Sequence, residues 1–181
     1  MTDSIAFAVR PHKNSSMWRT QDPYLGLEDF PKSMREEIAS QRREAADTGR
    51  PLEVVPVIEG VELTDRIHEF ERERGEKRAS SYGGLIPAYF RFGSAADHYF
   101  ATERAFLSSD QKIPLLGCEC GEWGCWPLLA RVIVDEGAVT WTDFEPPYRG
   151  DCDYSDFGPF VFRRSSYESA VADLAETWAS E

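Results

Sequence analysis

The segment that most constrains this chain is CECGEWGC, residues 118–125, which lies between two apolar stretches. Cys118 and Cys120 are two residues apart, so their side chains would share one face of an extended strand. Cys125 follows a four-residue connection whose two glycines tolerate the backbone angles of a tight turn. The segment therefore predicts a hairpin turn in which three thiols converge.

The stretches around this turn predict an antiparallel meander. Residues 112–116, which are apolar after Lys112, lead into the turn, and residues 126–134 lead out of it. The connection Asp135-Glu136-Gly137 then precedes a β-rich run at residues 139–144. Short runs at residues 5–9, 89–92 and 157–162 also favour strands.

Residues 52–58 are β-rich but contain Pro56, which cannot donate a hydrogen bond to a neighbouring strand. We therefore expect an edge strand or a bulge at Pro56. Before this strand, residues 11–32 mix prolines, polar residues and isolated aromatic residues without a period, which predicts a long loop.

Helical patterns occur at three places in the chain. Ser33 and Glu36 have capping-box spacing, which predicts a surface helix to about residue 46. Residues 65–74 form a one-sided pattern in which Ile67 and Phe70 face the core and the charged residues, including Glu71, face water. A terminal helix from about Ser165, with capping partner Glu168, ends at about Trp178.

The terminal helix places apolar side chains on one face and should dock on the sheet; they are Tyr167, Val171, Leu174 and Trp178. The expected fold is α+β: an antiparallel sheet or meander with surface helices and a docked C-terminal helix. A chain of 181 residues without repeats or a clear linker is predicted to form a single domain, residues 1–181.

Three interpretations of the cysteines remain open. A structural zinc site normally has four ligands, and the chain contains one further cysteine, Cys152. Cys118, Cys120, Cys125 and Cys152 are therefore the candidate zinc ligands, although their spacing is not that of paired C-x2-C motifs. The thiols could instead perform redox or nucleophilic chemistry, or could pack as small apolar side chains.

Two further sets of residues bear on those interpretations. A histidine could replace one cysteine as a ligand, although no pattern places one nearby; the histidines are His12, His68 and His98. The adjacent carboxylates of Glu119 and Glu122 are expected to disfavour a thiolate, which weakens the prediction of a reactive thiol.

The charge of the chain narrows the classes of partner. Its 20 basic and 32 acidic residues give a formal charge of −12, which repels nucleic acid and anionic membrane surfaces. A basic protein is the partner that such a field attracts. The N-terminus does not resemble a secretory signal and no apolar run matches a membrane span, so we expect a cytoplasmic protein with reduced cysteines.

No phosphate-binding loop, dinucleotide fingerprint, nucleophile elbow or HExxH motif occurs in the sequence. We therefore favour a non-enzymatic role without excluding an enzyme. The first hypothesis is an interaction protein of the immunity or antitoxin kind that binds a basic protein. The alternative is a zinc-binding or thiol-redox protein that uses Cys118, Cys120 and Cys125.

One part of the sequence resembles other proteins. The segment LLGCECGEWGCWPL, residues 115–128, followed by Val139-Thr140-Trp141 and residues 158–162, is similar to a group of uncharacterised bacterial proteins. The resemblance covers roughly the last third to two-fifths of the chain. It implies a recurring domain and no known activity, catalytic residue or cofactor.

Overall fold

The computed structural model describes residues 2–12, 31–33, 35–36, 39–40, 51–76, 81–87, 92–102, 111–121, 125–148 and 153–178. The described chain is α+β, as predicted. Its elements, in chain order, are β1 Ile5–Pro11, β2 Leu52–Ile58, β3 Val61–Glu62, α1 Leu63–Glu73, β4 Tyr82–Gly83, α2 Ala95–Tyr99, β5 Lys112–Cys118, β6 Leu128–Val134, β7 Ala138–Glu145, β8 Phe160–Arg163 and α3 Arg164–Trp178.

The strands form two antiparallel sheets, β1-β2-β3 and β4-β5-β6-β7-β8. Val54 of β2 bridges Leu85 just after β4, and Asp3 just before β1 bridges Phe162 of β8. These bridges place seven segments around a ring, with β3 as a short addition to β2. In a ring with an odd number of segments, neighbouring segments cannot all be antiparallel. The Asp3–Phe162 bridge is accordingly parallel.

Strand β2 corrects the prediction made from Pro56. The strand pairs with β1 over its whole length without a register shift, and its other side contacts both β3 and Leu85. It is therefore neither an edge strand nor bulged. The Val54 amide donates to the Leu85 carbonyl (2.7 Å), and the Pro56 nitrogen faces the same side because amide directions alternate. Pro56 lies between the Leu85 bridge and β3, where its missing donor breaks no ladder bond.

The predicted meander is confirmed as β5, β6 and β7. Register shifts occur between Pro114 and Leu116 on β5 and between Leu129 and Arg131 on β6. The predicted strand at residues 157–162 is shorter than expected, since β8 begins at Phe160.

The C-terminal helix α3 docks as predicted. It packs against β1, β7, β8 and α2, and it buries Tyr167, Val171 and Leu174. The Trp141 indole N–H donates to the Tyr167 hydroxyl (3.1 Å), which donates to the Tyr99 carbonyl (2.7 Å). The helix begins at Arg164, directly after β8, so Ser165 lies inside the helix and is not its N-cap.

Helix α1 matches its predicted position but not all of its predicted exposure. Ile67 is buried and Gly75, with a φ of 74°, follows the end of the helix, as expected. Glu71, however, was expected in water and is fully buried. The Tyr154 hydroxyl donates to its carboxylate. A partner so distant in sequence leaves no trace in the helical pattern of charges.

Other predictions coincide only partly with the described residues. Residues 32–33, 35–36 and 39–40 are helical, which confirms part of the predicted helix at 33–46, although Ala39 is fully buried. Pro11 belongs to β1 and Lys32 is helical, so the predicted loop is shorter at both ends. Residues 13–30, 41–46, 89–91 and Cys152 lie outside the described residues. Among the described helices, none is long and apolar enough to span a membrane.

His98 joins α2 to β5 in the interior. Its side chain is fully buried, and its Nε2 lies 2.9 Å from the Pro114 carbonyl oxygen, so the neutral ring donates from Nε2. The rings of Phe92, Tyr99 and Trp178 surround the imidazole. Burial lowers the pKa of His98 to about 4 because the charged ring would lose its hydration.

The pKa of His98 predicts a loss of stability in acid. Between pH 6.5 and about pH 4 the unfolded histidine binds a proton that the folded one does not, so its contribution falls as the pH falls. The contribution of His98 to the slope of the unfolding free energy against pH should approach about 1.4 kcal/mol per pH unit. Urea unfolding from pH 7 to pH 4 measures it, with His98→Gln as the non-titrating control that keeps an N–H donor. Equal slopes in both proteins would contradict this assignment.

Candidate metal centre

The pairing of β4 with β5 positions the cysteine turn. Tyr82 pairs with Cys118 and Gly83 pairs with Gly117, at the end of β5. The Glu119 amide then donates to the Ser81 carbonyl (2.9 Å), which extends the contact by one residue. The first residue of the turn is therefore held by a neighbouring strand.

Backbone geometry turns the chain immediately after Cys118. The Gly121 amide donates to the Cys118 carbonyl (2.9 Å), and Gly121 has a φ of 96°, a conformation that favours glycine. The spacing of Cys118 and Cys120 predicts that they share one face of a strand, but β5 ends at Cys118 and Cys120 lies in the turn. The thiols approach because the backbone reverses, and the strand period does not bring them together.

The three sulfur atoms converge as the sequence predicted. The Sγ atoms of Cys118, Cys120 and Cys125 lie within 4.8 Å of one another. Cys118 is buried, Cys120 is half-buried and Cys125 is exposed. The cluster therefore has an inner wall and a side open to solvent. Apolar packing accounts for a buried thiol, but it does not account for the exposed Cys125.

Hydrogen bonds favour the thiolate of Cys118. The Cys120 thiol and the Cys120 amide, whose nitrogen lies 3.4 Å from the Cys118 Sγ, both lower the pKa of Cys118, whereas burial and the neighbouring Cys125 thiol raise it. The net shift is downward. The direction of this shift is opposite to the one expected from the adjacent carboxylates, and it is set mainly by the Cys120 donors and by burial.

The other candidate ligands do not join the cluster in the described part of the chain. Cys152 lies outside the described residues, so its role as a fourth ligand stays a prediction. His98 is held by Pro114 in the core. His12 and His68 line a separate cavity of about 250 Å³, which adjoins the turn through Tyr82, Gly83 and Glu119.

That cavity contains residues that the sequence analysis did not select. Arg10 donates from Nε to a Glu53 carboxylate oxygen (2.8 Å) and from Nη1 to Glu62. Arg10 and Glu53 face each other in the register of β1 and β2. The sequence contains one indication of this pair, since the charged Glu53 lies inside the apolar run at 52–58. A carboxylate buried in a strand usually has a charged partner.

Comparison of the chain with protein-family models, with curated proteins and with solved structures found no match.

Gly83 should be required for the close approach of β4 to the turn. A Cβ atom at Gly83 would lie 3.0 Å from the Cys118 carbonyl oxygen and 3.1 Å from the Glu119 Cα, both backbone atoms. Gly83→Ala should therefore reduce the free energy of unfolding by roughly 1–3 kcal/mol through overpacking. Urea denaturation measures this change. Gly137→Ala is the control, since its Cβ would meet nothing within 4 Å. Equal effects of the two substitutions would refute the role of Gly83.

Proposed function

We propose that the chain is a zinc-binding protein whose metal is held by Cys118, Cys120 and Cys125. The convergence of the three Sγ atoms within 4.8 Å carries this proposal. Around a tetrahedral zinc ion with Zn–S bonds of 2.3 Å, the sulfur atoms are separated by about 3.8 Å. The observed turn thus needs only a small contraction to provide three corners of a tetrahedron.

Thiolate chemistry supports zinc as the metal. Soft thiolate ligands favour zinc over hard cations, and zinc has no redox chemistry that would oxidise them. The pKa of Cys118 is lowered by its hydrogen bonds, so the innermost thiol loses its proton more readily. The exposed Cys125 provides the side from which an ion can enter. Bound zinc would fix the connection between β5 and β6 and would stabilise the fold.

A zinc site gives a stoichiometry and a ligand dependence that can be measured. The protein purified without chelator should contain about one zinc ion per chain by elemental mass spectrometry. Cys120→Ser should weaken zinc binding by more than the roughly 10- to 100-fold that follows loss of an outer-shell partner. Binding should also weaken as the pH falls, because each thiol must release a proton.

Cys152→Ser is the matched comparison for Cys120→Ser, since each variant replaces one cysteine by serine and zinc affinity is measured in both. A large loss of affinity in this variant assigns Cys152 as the fourth ligand, whereas unchanged affinity assigns a three-cysteine site. Retention of full zinc affinity by Cys118→Ser and Cys120→Ser would overturn the proposal. Reversible formation of a disulfide in a protein that binds no zinc would instead favour the thiol-redox alternative.

We also propose a role as an interaction protein, of the immunity or antitoxin kind, with a basic protein partner. The formal charge of −12 supports this second candidate. Several charged residues of the sheet already pair with each other, as Lys112 does with Glu145 and Arg131 does with Asp143, so the excess negative charge remains for a partner. A cytoplasmic location remains part of this proposal.

A charge-driven complex should depend on salt. The partner is first captured from cells and then titrated against the protein. Binding should be weaker at physiological than at low ionic strength, mainly because the association rate falls as salt is added. A neutral osmolyte at equal osmolality is the control. A tight complex that is indifferent to salt would contradict this mechanism.

A further inference from the structure

A polar cavity lies beside the cysteine turn, between β1, β2, α1 and β4. Its volume is about 250 Å³, which is below the range of pockets for drug-sized ligands and large enough for a small polar group. Four carboxylates from three parts of the chain line it: Glu53 of β2, Glu62 and Asp65 of the adjoining β3 and α1, and Glu119 of the cysteine turn. These residues converge only in the folded chain.

The inner wall of the cavity consists of buried ionisable groups. The side chains of Glu53 and His12 are only 4% and 2% exposed, and the Glu53 carboxylate lies 3.7 Å from the imidazole Nε2 of His12. Arg10 and the Gly84 amide (3.1 Å) both donate to the Glu53 carboxylate. Burying such groups is costly unless they are paired, so this wall is preorganised and retains its polarity in the folded protein.

Gly84 is needed for this arrangement. A Cβ atom at Gly84 would lie 2.7 Å from the Val54 carbonyl oxygen and 3.0 Å from the Glu53 Cβ. The close approach of the backbone allows the Gly84 amide to reach the Glu53 carboxylate. The position of the carboxylate is therefore set by the sheet, before any ligand is present.

The electrostatics of the cavity favour a cation. The charge of Arg10 is compensated by Glu53 and Glu62, and both contacts raise its pKa. Burial lowers the pKa of His12, although the Glu53 carboxylate opposes this shift, so burial reduces the positive charge that the His12 ring contributes. Asp65 and Glu119 then contribute further negative charge at the exposed part of the cavity.

The spacing of the ligand atoms disfavours a single metal ion. In the described part of the chain, the three cysteines form the group whose ligand atoms converge as a metal requires. The carboxylates and imidazoles that line the cavity do not form a second group of three converging ligand atoms among the described residues. Several separated acceptors instead match a planar guanidinium or an ammonium group, which donate several hydrogen bonds in different directions.

We propose that this cavity binds an organic cation, a guanidinium or primary ammonium group, with Asp65 and Glu119 as its outer anchors and the Glu53–His12 wall behind them. The cation is either the side chain of an arginine or lysine in a basic protein or a free small amine or guanidine. The site does not depend on bound zinc, since its walls come from β1, β2 and α1 as well as from the turn.

Calorimetry tests this inference with the Nα-acetylated amides of arginine and citrulline, here called arginine amide and citrulline amide, because acetylation removes the α-ammonium charge from both. Arginine amide should bind and citrulline amide should not, because only the guanidinium carries charge. Asp65→Asn combined with Glu119→Gln should weaken binding at least about tenfold. The control is Glu73→Gln combined with Glu136→Gln, which removes the same total charge from exposed positions outside the cavity.

Both sources of the cation are compared in the same experiment. A short peptide with one internal arginine that binds at least tenfold more tightly than arginine amide assigns a protein side chain. Equal affinity assigns a free small cation. Absence of binding by both arginine amide and the peptide at millimolar concentration, or equal weakening by the two double variants, would overturn the inference. Zinc content is measured on each variant, so failure of the metal site is recognised separately.

Discussion

The buried hydrogen bonds from Trp141 through Tyr167 to the Tyr99 carbonyl link the main parts of this structure. They connect β7 to the C-terminal helix α3 and connect α3 to α2. The Tyr167 side chain is fully buried, and burial raises its pKa because an ionised phenol would lose its hydration. These polar groups therefore remain neutral, and their hydrogen bonds fix one arrangement of the helices on the sheet.

The same network sets the position of the cysteine turn. Tyr99 follows His98 in α2, and His98 contacts the Pro114 carbonyl at the register shift of β5. Strand β5 then ends at Cys118 and is paired there with β4. Cys118, the innermost of the three converging thiols, thus lies at the end of a strand that the core holds at its centre. A site built on such a strand is better defined than one built on loops alone.

The cysteine turn and the polar cavity share one boundary, formed by Tyr82, Gly83 and Glu119. Zinc at the cysteines would hold the turn and with it the Glu119 side of the cavity. The two sites nevertheless use different chemistry. Thiols lie on one side, and carboxylates arranged around a half-buried arginine and a buried histidine lie on the other.

Local patterns determined much of this protein. The meander follows from apolar runs separated by short polar connections, and the docked face of α3 follows from Tyr167, Val171 and Leu174 at helical spacing. The convergence of three cysteines follows from their separation by only a few residues and from the glycines between them. Each of these features depends on neighbours in sequence, which is why the sequence alone predicts them.

Contacts between distant residues decided the rest. Glu71 is buried because Tyr154 reaches it, and Pro56 is accepted inside a sheet because Leu85 and β3 leave a gap beside it. The cavity exists because Arg10, Glu53 and Asp65 come from separate elements whose relative positions are set by packing. The sequence by itself determined the strands of the meander, the terminal helix and the convergence of the three cysteines. Only the tertiary structure decided which polar groups are buried, because burial depends on partners that local periodicity does not encode.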